Sequence, residues 1–148
     1  MNNKRFLTIV VSLIFLLFAL SFWYANQNFN NAQLALKYYE EPNISGIGKA
    51  DESQLFQLVY DAYLRKNYDR VVEIGPNVPP MMDEFWDAQI LLAHALMKKN
   101  QPKVASEVFS GIIKSDSQWK ANAEWNRILT HVAAGNDTQI NHFLDEMI

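Results

Sequence analysis

The chain has 148 residues and no cysteine, which removes thiol catalysis, zinc–thiolate sites and iron–sulfur ligation. Its 13 basic and 16 acidic residues give a net charge of −3, the opposite of the basic surface that nucleic-acid binding needs. A hydrophobic share of 49% is that of a chain with a core to bury, not of a disordered one.

The chain opens with a five-residue basic stub, Met1-Asn2-Asn3-Lys4-Arg5, followed by eighteen uncharged residues from Phe6 to Trp23, and no charge reappears until Lys37. As a helix such a run is roughly 27 Å long, close to the ~30 Å hydrocarbon core of a bilayer. A cleaved export signal also begins with basic residues and an apolar run, and Ala19-Leu20-Ser21 offers it a small-residue cleavage site. Its apolar region is typically about 7 to 15 residues, however, whereas this one continues into Trp23 and Tyr24, an aromatic pair suited to a membrane–water interface. Residues 6–24 are therefore expected to be a single-pass transmembrane helix. Lys4 and Arg5 are expected to keep the stub (1–5) in the cytoplasm, with the span in the cytoplasmic (inner) membrane and everything after it outside the cytoplasm, which is the periplasm if the cell is Gram-negative.

Residues 25–50 read as a stalk and linker: a short helix ending near Tyr39, then a break at Pro42, Gly46 and Gly48. The Tyr38-Tyr39 pair reads as a packing contact rather than a ligand site. The part beyond the anchor keeps 11 basic residues against 16 acidic, a net charge of −5, and is long enough to bury a core without disulfides or metals.

From Asp51 to Ile148 the apolar residues recur with a 3.6-residue period, interrupted by short polar turns, so this region is expected to be all-α. In Gln101–Lys114, Val104, Val108 and Ile112 form one row and Ala105, Phe109 and Ile113 the next, leaving Lys103, Glu107 and Lys114 to water. Asp83–Lys99 is apolar over a broader arc, as expected of a helix with neighbours on two sides. Asp83 is a candidate cap for that helix, and Asp116 or Ser117 for the one after Lys114. Gly75-Pro76 should end a helix early, and Asn77-Val78-Pro79-Pro80 begins the longest loop.

The chain also repeats itself. NQPKVASEVFSGII, from Asn100, aligns without a gap to GNDTQINHFLDEMI, from Gly135, at a shift of 35, and Tyr68, Val71 and Ile74 align to Pro102, Ala105 and Val108 at a shift of 34. Two helices per period of 34 to 35 residues point to a helix–turn–helix solenoid. Asn100 and Gly135 should adopt left-handed backbone between antiparallel helices. The small residues Ala93 and Ala105 should let paired helices approach, with Phe109 filling the groove. The stripe Ile140, Phe143, Leu144, Met147 and Ile148 should close the array.

These residues resemble the tetratricopeptide repeat family. Leu92-Ala93, Leu96, the Lys99-Asn100-Gln101 turn, Ala105, Phe109 and Ile112 carry the match in the second unit. Trp125, the Gly135-Asn136-Asp137 turn, Ile140, Leu144 and Met147 carry it in the third, and Ala62-Tyr63, Asn67-Tyr68 and Val71 in the first. Ile140 departs from the small residue usual at its place. The resemblance implies an α-solenoid of two to three units over 51–148, and the overall plan looks similar to small membrane-anchored proteins of the bacterial cell envelope.

No catalytic constellation is legible. His94, His131 and His142 form no metal-binding pattern, although His131 and His142 could meet across the Gly135 turn; Asp83, Glu84 and Asp87 fall at a helix start, where carboxylates complement the dipole. No phosphate-binding glycine loop or nucleophile elbow occurs, so the chain is expected to be a non-enzyme without cofactor or metal. The resemblance instead implies a concave groove on the first helices of the units, binding a protein or peptide partner. That face would carry Gln57, Asp61 and Arg65 from unit one; Asp87, Ile90, His94 and Met97 from unit two; and Asn122, Trp125 and Leu129 from unit three. Trp119 reads as a contact between units. The expected function is a membrane-anchored adaptor or scaffold. The alternative is an accessory subunit of an envelope complex, a translocon or maturation machine, that holds substrates as a chaperone does. Short arrays of this family also pair through their end helices, which puts a homodimer among the expected states.

Overall fold

The structure is a computed structural model that describes residues 3–28, 30–47, 53–136, 138 and 140. Among these the regular structure is all helix: α1 (Asn3–Asn28), α2 (Asn31–Lys37), α3 (Gln54–Leu64), α4 (Tyr68–Ile74), α5 (Phe85–Lys98), α6 (Pro102–Ile113) and α7 (Lys120–Ala133), with single 3₁₀ turns at Ile44–Gly46 and Gly75–Asn77. Of the closing stripe expected at Ile140, Phe143, Leu144, Met147 and Ile148, all but Ile140 lie outside the described residues, as does His142 and with it the expected meeting with His131.

Three helix ends share one hydrogen-bonded design. After α3, Lys66 N–H donates to the Tyr63 carbonyl and Asn67 N–H to that of Ala62; after α5, Asn100 and Gln101 donate to Met97 and Leu96; after α7, Gly135 and Asn136 donate to Val132 and His131. Lys66, Asn100 and Gly135 have φ of 56°, 57° and 66°, the left-handed residue that reverses the chain while satisfying the last carbonyls. Their separations of 34 and 35 residues are the shifts found in the sequence. The structure therefore repeats at the level of the backbone turn, and Lys66 occupies the same conformation without glycine's freedom or asparagine's tolerance of it.

From α3 onward, successive helices pack on one another through apolar faces. α5 is central, packing on α3, α4 and α6, and α6 packs on α7. This explains its broad apolar arc: Ala88 and every residue from Ile90 to Met97 are buried. Ala93 and Ala105 are fully buried, as is Phe109 between them. Val71 and Ile74 turn the short α4 into the core, and a Cβ added at Gly75 would lie 3.3 Å from Leu92 Cβ, so glycine permits the close approach that ends α4.

Capping differs from expectation in two places. α5 begins after Glu84 and α7 after Trp119, neither with a side-chain cap. Glu84 Oε1 instead accepts the Ser53 N–H at 3.1 Å, tying the loop before α5 to the start of α3, and Ser117 Oγ accepts the Trp119 N–H at 3.2 Å. Ser53 and Asn67 do cap α3 and α4 by accepting from Phe56 N–H and Arg70 N–H.

The N-terminal region requires a correction. Among the described residues no helix is long and apolar enough to cross a membrane, so the transmembrane helix expected over 6–24 is not upheld. Side chains in α1 are described from Val10 to Ala25. Within that stretch Leu13, Ile14, Phe15, Leu16, Leu17, Phe18, Phe22 and Trp23 are all exposed. In the segment 25–50, read as stalk and linker, α2 packs on α7 with Ala35 fully buried, and Pro42 and Ile47 are buried as well.

Candidate functional site

The face where a groove was expected is occupied by the chain itself. Residues Tyr38 to Ile47 follow α2 across α7 and α5 as a strap with no regular hydrogen-bonded structure before the 3₁₀ turn at Ile44. Asn126, fully buried on α7, holds the strap by both sides of one residue: its Oδ1 accepts the Glu40 N–H at 3.2 Å and its Nδ2 donates to the Glu40 carbonyl at 2.9 Å. One turn earlier, Asn122 Nδ2 donates to the same carbonyl at 3.2 Å. Between them, Trp125 Nε1 donates to the Tyr38 carbonyl at 3.1 Å. These bonds engage main chain only, so they fix an extended segment without reading its sequence.

Side chains of the strap supply the rest. The Tyr39 ring lies on His94, with centroids 4.5 Å apart, and Lys98 Nζ sits 5.5 Å from the ring centroid. Lys98 also pairs with Glu41 at 2.7 Å, an ion pair with its carboxylate well exposed and therefore worth little by itself. Burial is the main reason that the Tyr39 hydroxyl is held well above its usual pKa, with Tyr63, Glu41 and Tyr68 adding to it.

His94 joins the strap to the core. It is fully buried, with Phe109 edge-on to its ring at 5.9 Å. Its Nε2 lies 3.3 Å from Asn122 Oδ1, which also accepts from Asn126 Nδ2 at 3.0 Å. Because Asn122 turns its amide nitrogen to the Glu40 carbonyl, that oxygen is an acceptor and His94 Nε2 carries the proton. Nδ1 is then a bare acceptor, buried with no hydrogen-bond partner. Burial lowers the His94 pKa to about 3, the Asn122 hydrogen bond opposing and nearby Lys98 reinforcing the shift, so the imidazole is neutral throughout the physiological range.

Of the ten residues expected on the groove, the structure gathers His94, Asn122 and Trp125 under the strap. Ile90 and Met97 are core side chains and Leu129 is buried on α7, so none of the three faces a partner. Gln57 is half-buried on α3, while Asp61 and Arg65 are exposed at that helix's end. Asp87 is engaged elsewhere: its Oδ1 accepts from Trp119 Nε1 at 2.5 Å and Gln118 Nε2 at 3.2 Å, which makes Trp119 the junction between α5 and α7. Sequence reasoning missed Asn126, Lys98 and the strap. The signal available was Asn122 and Asn126 at i and i+4 on one helix face, beside a tryptophan.

Among the described residues no group of three or more His, Asp or Glu is placed to hold a metal. Ser106 Oγ and His131 Nε2 approach to 3.4 Å across α6 and α7, longer than the ~2.6–3.2 Å of a nucleophile paired with its base. A second concavity, about 430 Å³, opens between α4, α5 and α6 and is lined by Val72, Val78, Phe85, Leu92 and Val104 among others. No family model, curated protein or solved structure matches the chain.

Proposed function

We propose that this protein is a non-catalytic protein-interaction module of tetratricopeptide-like type whose α5–α7 face receives extended polypeptide. One observation carries the reading: buried Asn126 holds both the N–H and the carbonyl of Glu40. A fully buried amide aimed at the main chain of an irregular segment is costly to leave unpaired, and its geometry suits any extended strand laid along α7. The strap Tyr38–Ile47 is then the resident occupant, which a partner segment replaces.

The exposed apolar side chains of α1 support a second element of the proposal, attachment to lipid rather than a full crossing. A helix apolar on every side takes an apolar surrounding. Flotation of the full chain with liposomes tests this, and a chain that stays at the bottom of the gradient refutes it.

The groove is tested by photo-crosslinking in cells from position 125, whose tryptophan is 43% exposed beside the strap, with the exposed position 103 on α6 as control. Partner adducts from position 125 that vanish with Asn126→Ala, while helical content is unchanged, support the groove. Adducts that survive that substitution, or that form equally from position 103, refute it.

A further inference from the structure

The strap is held well by its main chain and poorly by one side chain. Tyr39 inserts its ring beside His94, yet its hydroxyl is buried with no hydrogen-bond partner, and so is His94 Nδ1. Two adjoining rings, their centroids 4.5 Å apart, thus each bury a polar atom without a partner, a donor on one and an acceptor on the other. Burial disfavours ionisation of the hydroxyl, so it remains a donor that has left water for nothing. An unmade hydrogen bond of this kind weakens an interaction by about tenfold or more.

We propose that the α5–α7 groove recognises extended segments carrying a hydroxyl-free aromatic residue two positions before an acidic one, and that Tyr39 makes the chain's own strap a deliberately imperfect occupant which such a segment displaces. The inference rests on the groove reading above and adds what the partner looks like. The spacing comes from the strap: Tyr39 fills the cup at His94, Glu40 presents the main chain to Asn126, and Glu41 reaches Lys98 at 2.7 Å. A phenylalanine in place of Tyr39 would keep the ring contact and the approach of Lys98 and remove the orphaned hydroxyl. Lys98, the cation beside the aromatic cup, favours an acidic side chain two positions on, a preference added to the ring contact rather than replacing it. The strap is tethered, so even an imperfect fit keeps it bound until a better ligand arrives, because a tether supplies an effective concentration of order millimolar.

Two capped, fluorescently labelled peptides test this: residues 36–45 of the chain, and the same peptide with Tyr39→Phe. They are titrated by anisotropy into the full chain as wild type, as Tyr39→Ala to loosen the strap, and as Asn126→Ala. The expected result is that the Tyr39→Ala chain binds the phenylalanine peptide about tenfold more tightly than the tyrosine peptide, that wild type binds both more weakly, and that Asn126→Ala binds neither. Equal affinities for the two peptides overturn the inference and leave the groove reading standing. No binding of either peptide to a Tyr39→Ala chain of native helical content overturns both. Should Tyr39→Ala fail to fold, Tyr39→Phe in the full chain decides by hydrogen exchange: strap amides 38–47 exchanging about tenfold more slowly than in wild type support the inference, and an unchanged or faster rate refutes it.

Discussion

Replacing Asn126 by alanine should release the strap without dissolving the helices beneath it. The substitution removes three hydrogen bonds: those with the Glu40 N–H and carbonyl, and the one to Asn122 Oδ1. At about 0.5–1.5 kcal/mol each, the loss lies between about 1.5 and 4.5 kcal/mol. Glu40 itself is exposed, so water can take over part of its main-chain bonding, which puts the expectation near 2 kcal/mol. The cost should fall on local opening of the strap, because Asn126 touches the strap through Glu40, whereas Phe56, Phe109 and Ile112 of the core are untouched. Hydrogen exchange resolved by residue is the assay: amides of 38–47 should exchange about thirtyfold faster, while those of α5 and α6 keep most of their protection. If strap and core amides accelerate together by the same factor, the strap is part of one cooperative unit with the repeats and is not a displaceable occupant.

Acid should destabilise the chain through His94. Its pKa falls from 6.5 unfolded to about 3 folded, so between those values the unfolded state binds the extra proton. Stability is then full above pH 6.5 and declines as pH falls toward 3, by up to about 1.4 kcal/mol per unit inside the window. Urea titrations across that range should show this slope in wild type and lose it in His94→Leu, and identical slopes would refute the assignment. Lys66→Gly should raise stability by roughly 0.5–1 kcal/mol, the relief of a left-handed residue offset by glycine's greater unfolded freedom, read as a higher urea midpoint. Phe109→Ala should cost about 3–5 kcal/mol, because a fully buried ring between α5 and α6 leaves a cavity that packed helices cannot close. Thermal denaturation followed by circular dichroism measures it, and a loss below 1 kcal/mol would contradict the central place given to that ring.

Much of the helical domain was legible because it is written in local terms. The turns at Asn100 and Gly135 follow from residues that tolerate positive φ at a fixed distance after an apolar stripe, and the boundaries of α5 and α6 lie within two residues of expectation. The small pair Ala93 and Ala105 with Phe109 between them was readable from 3.6-residue spacing, because one row of side chains decides which helix face is buried. What spacing could not supply was the rotation of each helix about its axis. Ile90, Met97 and Leu129 share a helical face with groove residues in one register and with the core in another, and a shift of one position separates the two. The cap expected at Asp83 was lost for a similar reason, since Glu84 bonds the Ser53 N–H from thirty-one residues away.

The sequence by itself determined the all-helical class, the repeat period and the residues that turn the chain, because these depend on neighbours within a few positions. It also determined that the first described helix carries an uncharged, mainly apolar run from Phe6 to Trp23. Only the tertiary structure decided that the segment after that helix folds back over α5 and α7, that Asn126 grips it by its main chain, and that the expected groove is already filled. Those bonds join residues more than eighty positions apart, and a main-chain hydrogen bond leaves no mark on the identity of the residue that makes it. Local periodicity carries no information about such a contact, which exists only once the helices have set their faces toward one another.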